Sequence, residues 1–154
     1  MLDYLFAHHA SARFIMLVSR KAVLAVAAVV DVALNGNDRP VSAKSLASRH
    51  QLPPRHLEPV LQALVHRGIL KGIRGPHGGY ELGRMQKSIT ADEIVQAAGT
   101  VEQDLDGALP GSTLLCGVVA PAMSQAEDAF ASALGRINVE DLVRHAIALD
   151  AEKV

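Results

Sequence analysis

The chain has 154 residues, of which 49% are hydrophobic and 20% are charged. It can therefore bury one core and fits a single domain, or one compact domain with a helical appendage. A single cysteine excludes an internal disulfide and a metal site built only from cysteines. Aromatic residues make up 3% of the chain, with no tryptophan, which argues against a stacking surface for RNA or single strands. No apolar run is long enough to cross a bilayer, and the first residues lack the basic start of a signal peptide. We therefore expect a protein of the reducing cytoplasm that does not enter a membrane.

The formal net charge of −1 conceals an uneven distribution. Residues 1–87 hold 12 Lys and Arg against 5 Asp and Glu, a net charge of +7, whereas residues 88–154 hold 3 against 11, a net charge of −8. Such asymmetry is typical of proteins in which one part contacts nucleic acid. Residues 1–15 stand apart from the pattern that follows. They are either an ordered extension or a segment that precedes the true start at Met16.

Three helices are predicted in the basic region, residues 16–87. The first runs from an N-cap at Ser19 to Leu34, because valines and leucine recur at steps of three and four residues. A turn at residues 35–40 follows it, and Ser42 caps a second helix over residues 43–51.

The third helix is predicted over residues 55–68, with its leucines and valines on one face and Gly68 at its end. Pro59 lies within this segment and removes one helical N–H donor. We therefore expect the helix to start late, near Arg55 and His56, or to kink at this point.

Two short extended runs follow, over residues 69–75 and 78–84. They flank Pro76 and His77, so they predict a β-hairpin with a tip rich in Gly and Pro. Three helices followed by a basic hairpin is the order of a winged helix-turn-helix, a mostly α fold with a small β-hairpin wing.

The acidic region, residues 88–154, is predicted to be helical. Thr90 and Glu93 have the spacing of a capping box at the start of a fourth helix. Residues 101–116 have the composition of a loop. A longer helix is predicted from Val118 to Leu134, with Pro121 in its first turn, and Asn138 opens a last helix.

The hairpin tip carries Arg74, Gly75, Pro76 and His77. Glycine lets a backbone approach a groove wall or a phosphate closely, and an arginine can enter a narrow minor groove. A plain tight turn and a nucleotide-binding loop are the alternatives. The second is weak, because no Walker lysine follows and no GxGxxG motif is present.

Polar residues also line the third helix and the starts of the first two. Base edges can be read by Arg, Gln and Glu, and the face away from the leucines carries Arg55, His56, Glu58 and Gln62. Helix starts attract phosphate, and those of the first two helices carry Ser19, Arg20, Lys21, Ser42 and Lys44. A solvated polar face is the alternative for the helix, and a simple cap or solvated charge is the alternative for each residue at a helix start.

Catalysis finds no support in the sequence, and we expect no enzyme. The seven histidines show no metal-binding spacing such as HExxH. Cys116 has no neighbouring basic residue that would activate its thiol, which favours an inert cysteine.

Residues 17–84 resemble the Rrf-two family of bacterial winged-helix regulators. The matching strings are SRKAVLAVAAVVDVALN (19–35), HLEPVLQAL (56–64), GILKGIRGPHGGYELGR (68–84) and SITADEIVQA (88–97). The string RGPxGGYxL is highly specific for this family. The similarity continues through residues 16–154 but weakens after residue 100.

The resemblance implies a sequence-specific DNA-binding transcriptional repressor. It implies a homodimer held by a long helix around residues 118–135, bound to a pseudo-palindromic operator on double-stranded DNA. The recognition positions of the family fall on Pro53, Arg55, His56, Glu58 and Pro59, and the wing positions fall on Arg74, Gly75 and Pro76. Pro59 replaces a usual Gln and Arg55 replaces a small polar residue, so the operator of the family does not carry over. The sequence names no small-molecule effector.

The sensor loop departs from the family pattern. Cluster-binding members place three cysteines before the long helix, whereas this chain keeps only Cys116, and Val119 stands where some members have a histidine. We therefore expect that the protein binds no iron–sulfur cofactor and belongs to the cluster-free branch of the family. Two alternatives remain: a thiol redox sensor that uses Cys116, and a winged-helix protein-interaction module without DNA binding.

Overall fold

The computed structural model describes residues 18–99 and 112–153, which form helices and one two-stranded sheet. The elements follow in the order α1 (Arg20–Asn35), α2 (Ala43–Arg49), α3 (Pro54–His66), β1 (Leu70–Ile73), β2 (Gly79–Leu82), a 3-10 turn (Gln86–Ser88), α4 (Ala91–Ala98), a π-helical turn (Leu115–Val119), α5 (Ala120–Gly135) and α6 (Val139–Glu152). The predicted winged helix-turn-helix fold, mostly α with a hairpin wing, is confirmed. The predicted extension, residues 1–15, lies outside the described residues.

The helix starts confirm the predicted N-caps. Side chains of Ser19, Ser42 and Asn138 each accept a hydrogen bond from the backbone N–H three residues ahead, at 2.9–3.1 Å. Thr90 and Glu93 form the predicted capping box, in which each side chain accepts a hydrogen bond from the other residue's backbone N–H. These caps satisfy donors that the first helical turn leaves without partners, so the sequence marks where each helix begins.

The core lies where the helices of the basic region meet the wing and the acidic region. On α3 the spacing of the apolar residues buries Leu57, Leu61 and Leu64 completely. They pack in one cluster with side chains from α1, α2, α4, β1 and α6. The buried face of α3 is thereby fixed, and its opposite face is left to solvent.

The wing is attached to the helices by an isolated β-bridge that the sequence did not predict. β1 and β2 pair antiparallel, with Leu70 opposite Leu82 and Ile73 opposite Gly79. Val41, just before α2, then pairs with Tyr80 through two backbone hydrogen bonds of 2.8 and 2.9 Å. The wing is thus joined by its backbone to the start of α2.

The long helix starts earlier than predicted. Residues 113–116, assigned to a loop from their sequence, are helical, and Cys116 lies in the π-helical turn. Pro121 is the second residue of α5 and so lies in its first turn, as predicted, although helical backbone continues into α5 from residue 113. Because Pro121 lacks an N–H, the helix cannot form the bond to the carbonyl of Gly117, and the wider turn lies at this position. We call residues 113–135 the long helix.

The long helix buries few of its apolar side chains. Phe130 and Leu134, near its end, pack against Val18, Ala22 and Val95. Towards its start the apolar side chains are exposed: Leu114 by 67%, Val118 by 61%, Val119 by 39% and Met123 by 58%. The first half of the long helix therefore extends beyond the core of its own chain.

None of the helices in residues 18–99 and 112–153 combines the length and the apolar character that a membrane span requires.

Candidate nucleic-acid interface

The exposed face of α3 carries the residues that were predicted to read DNA. Arg55, His56, Glu58 and Gln62 are all exposed, and the leucines between them point into the core. Arg55, Glu58 and Gln62 follow one another at steps of three and four residues, so they share one side of the helix. Within the described part of the chain, these three side chains have no hydrogen-bond or ion-pair partner. Their polar groups are available to a ligand.

Pro59 lies inside α3 rather than at its start. The helix begins at Pro54, after an N-cap at Pro53, rather than at the later start expected near Arg55 and His56. The alternative, a kink at Pro59, stays a prediction. Pro54 occupies the first helical position, where a missing N–H costs nothing, and this allows the earlier start. Pro59 is exposed on the same side as Arg55 and Gln62.

The wing tip presents Arg74, Gly75, Pro76 and His77 to solvent. Gly75 has a φ of +120°, a conformation that residues with a side chain rarely adopt. Its carbonyl accepts a hydrogen bond of 3.0 Å from the N–H of Gly78, which closes the turn. The tip therefore holds an exposed guanidinium on a tight turn whose backbone is not covered by large side chains.

The helix starts divide into two groups. Ser42 and Lys44 lie beside the wing, because Val41 pairs with β2. Ser19 instead donates a hydrogen bond of 3.1 Å to the carbonyl of Gly99, at the end of α4. Both serine hydroxyls also serve as caps, which confirms the simpler interpretation for them without testing a phosphate contact. Arg20 and Lys44 are exposed.

Ion pairs within the fold neutralise only some of the positive charges of the basic region. Two of its arginines are paired with carboxylates, Arg49 with Asp31 and Arg84 with Glu93. Arg55 and Arg74 are exposed and belong to neither pair. Unpaired guanidinium groups on α3 and at the wing tip favour an anionic ligand.

A polar cluster that the sequence pattern does not predict fixes α2 to α1. Asp31 is 6% exposed and accepts hydrogen bonds of 2.9 Å from Arg49 Nε and 3.0 Å from Asn35 Nδ2, and His50 Nε2 lies 2.9 Å from its carboxylate. Burial raises the pKa of Asp31, but hydrogen bonds from Arg49 and Asn35 and the charges of Arg49 and His50 outweigh burial and hold it below its ordinary value. The sequence signal for this cluster is the single acidic residue, Asp31, within the apolar run VVDVAL.

Cys116 is exposed in the π-helical turn of the long helix. In the described part of the chain, no three His, Cys, Asp or Glu side chains come close enough together to hold a metal ion. Residues 100–111, which precede this stretch, contain no cysteine or histidine. The donor set of one thiol per chain does not fit an iron–sulfur cluster, which is held by cysteine thiolates. The redox role of Cys116 stays a prediction.

Comparison with known protein families assigns the chain that carries this surface to a family. Residues 18–145 match the family described as "Rrf2: Iron-dependent Transcriptional regulator". The chain belongs to the Rrf2 family. The match covers the helices, the wing and the long helix together, so it confirms the resemblance to the Rrf-two family that the sequence motifs indicated.

Relatives and solved structures agree with this assignment. The HTH-type transcriptional regulator IscR of Xenorhabdus nematophila is 31% identical over 140 residues, 88% of this chain and 84% of the relative. The structure of T. potens IscR has a TM-score of 0.67 at 29% identity, over 84% of this chain and 87% of that one. CymR, the global cysteine regulator of B. subtilis, has a TM-score of 0.65 at 26% identity, over 83% and 96%.

Several other curated relatives match over a shorter stretch of 82 to 91 residues, so the chain spans about half of their length. The chain is nevertheless matched by its family over most of its residues. It is an Rrf2-family transcriptional regulator, a DNA-binding class of protein and not a class of enzymes.

Proposed function

We propose that this Rrf2-family protein is a cytoplasmic, homodimeric repressor that reads a pseudo-palindromic operator without an iron–sulfur cluster. The observation that carries the proposal is the exposed face of α3 beside a wing with an exposed arginine at its tip. Residues 16–87 bind the DNA, and residues 88–154 form the dimer.

The proposed roles follow from the chemistry of each group. On α3, Arg55 donates to guanine, Gln62 to adenine, Glu58 accepts from cytosine, and Pro53 and His56 lie at the start of the reading face. At the wing, Arg74 enters the minor groove, and Gly75, Pro76 and His77 let the backbone come close to it. Ser19, Arg20, Ser42 and Lys44 place phosphates at the starts of α1 and α2.

The reading surface is tested by removing its arginines. We expect Arg55→Ala and Arg74→Ala each to weaken operator binding by about 1–3 kcal/mol, because each loses a contact to a base or a groove. Arg144→Ala is the matched control, since Arg144 is equally an exposed arginine but lies on α6 in the acidic region. Titration of labelled operator DNA at several salt concentrations measures the effect. Unchanged binding in both Arg55→Ala and Arg74→Ala would contradict the assigned surface.

The dimer is supported by two apolar surfaces that need a cover. The first is the start of the long helix, with Val118, Val119 and Met123 exposed. The second is an open apolar groove of about 950 Å³ between α1 and α6, lined by Val26, Leu142 and other apolar side chains. Exposed apolar areas of this kind mark interaction sites. A second copy is the proposed cover for both surfaces, with the long helix of each subunit at the interface.

The absence of a cluster is supported by the count of thiols. A dimer would bring two cysteines, whereas a cluster of the common types takes about four ligands, most of them cysteine. We therefore expect protein purified without air to contain no stoichiometric iron. Iron and sulfide analysis measures this directly, and one cluster per chain would overturn the proposal.

A further inference from the structure

Among the polar side chains on the reading face of α3 lies an apolar one, Pro59. Pro59 follows Arg55 by four residues and precedes Gln62 by three, so its ring lies on the same side of the helix as these polar groups. The ring is exposed. The apolar side chains that α3 uses for its packing, such as Leu57 and Leu61, lie on the other side and are buried.

Proline is energetically unfavourable at this position. It lies at the sixth residue of α3, where it cannot donate the N–H that would bond to the carbonyl of Arg55. The core does not require it, because its ring is not buried. A locally unfavourable residue without a packing role is expected at a functional site.

We propose that Pro59 is a specificity-determining residue whose ring contacts the C5-methyl group of a thymine in each half of the operator. This inference rests on the proposed function, since it requires α3 to lie in the major groove. The inference adds a direct contact to thymine, a base to which none of the polar residues of α3 is assigned.

The chemistry of the major groove points to thymine. Its base edges present hydrogen-bond donors and acceptors, and the C5-methyl of thymine is their only apolar group. Proline has no N–H and no polar side-chain atom, so it offers a base edge only apolar contact. With Arg55 and Gln62 on the same side of the helix, the ring meets bases adjacent to those that the polar side chains read.

The contact is tested by removing single methyl groups from the DNA. Operator DNA is first selected from random sequence with the full-length protein, and each thymine of a half-site is then replaced by deoxyuridine. We expect one replacement per half-site to weaken binding about fourfold, the effect of losing one buried methyl group. Equal binding at every replaced position would overturn the inference.

Two variants assign the effect to Pro59. Pro59→Ser removes the apolar ring, so it is expected to bind thymine and deoxyuridine operators equally. Pro59→Val keeps exposed methyl groups and is expected to retain the difference. Both variants restore the helical N–H and are expected to be at least as stable as the wild type, so loss of folding does not imitate the result. A difference that persists in Pro59→Ser would overturn the inference.

A control separates this inference from the proposed function. Gln62→Ala is expected to bind more weakly overall while it keeps the preference for thymine over deoxyuridine. A protein that selects an operator without a methyl-sensitive thymine contradicts only the role of Pro59. A protein that selects no operator contradicts the proposed function itself.

Discussion

Gly79→Ala is expected to destabilise the protein by about 3 kcal/mol or more and to abolish operator binding. A Cβ at this position would lie 2.5 Å from the carbonyl oxygen of Val41 and 2.9 Å from the backbone nitrogen of Ser42. Real Cβ atoms do not approach a backbone this closely, so the wing must move away from α2 and lose the pairing of Val41 with Tyr80. The physical cause is the close approach of two backbones, which only glycine allows.

Gly72→Ala is the matched control for this variant. Gly72 lies on β1 of the same hairpin, and a Cβ there would meet no atom within 4 Å. We expect a change in stability within about 0.5 kcal/mol for Gly72→Ala. Thermal unfolding compares the variants, with a fall in Tm of about 10 °C expected for Gly79→Ala. Equal Tm values for the two variants would contradict the attachment of the wing through Val41.

Met123→Glu is expected to convert the dimer into monomers and to weaken operator binding at least about 100-fold. The apolar stripe that is packed at Phe130 and Leu134 continues along the long helix to Met123 and Val119, where this chain leaves it exposed. A carboxylate on this stripe would be buried against the partner without a counter-charge, at a cost of several kcal/mol. A monomer would then engage one half-site alone and lose the gain from linked binding.

Met85→Glu is the matched control for the long helix. Met85 is 63% exposed, close to the 58% of Met123, but it lies after the wing and outside the long helix. The control is expected to remain dimeric. Analytical ultracentrifugation over a range of concentrations measures the dissociation constants. A dimer of unchanged stability in Met123→Glu would show that the partner does not bind through this part of the long helix.

Much of the fold is predictable because it is encoded locally. Ser19, Ser42 and Asn138 mark helix starts through bonds to residues three positions ahead, and the glycines and proline of the wing mark its turn. Both kinds of signal lie within a few residues of the structure that they specify. The predicted reading face of α3 was recognised in the same way, since helical spacing alone divides polar from apolar residues.

The features that were missed depend on contacts between distant residues. Asp31 meets Arg49 and His50 only once α1 and α2 are packed, because 18 or 19 residues separate them in the chain. Val41 pairs with Tyr80 across the whole of α2 and α3. At the long helix, the composition near Cys116 favours a loop, whereas the structure continues the helix through a wider turn. The conformational propensities of neighbouring residues do not predict any of these features.

Selection of bound fragments from genomic DNA by the purified full-length protein tests the central claim most directly. If the dimer reads DNA with α3 and the wing of each subunit, the enriched fragments will share an inverted repeat whose half-sites are one or two helical turns apart. Arg74→Ala, used in parallel, will enrich the same repeat more weakly. The contradicting result is a set of fragments that share no common repeat and are recovered in proportion to their length. Binding to all of them would fall uniformly with added salt, which would exclude sequence-specific reading by this surface.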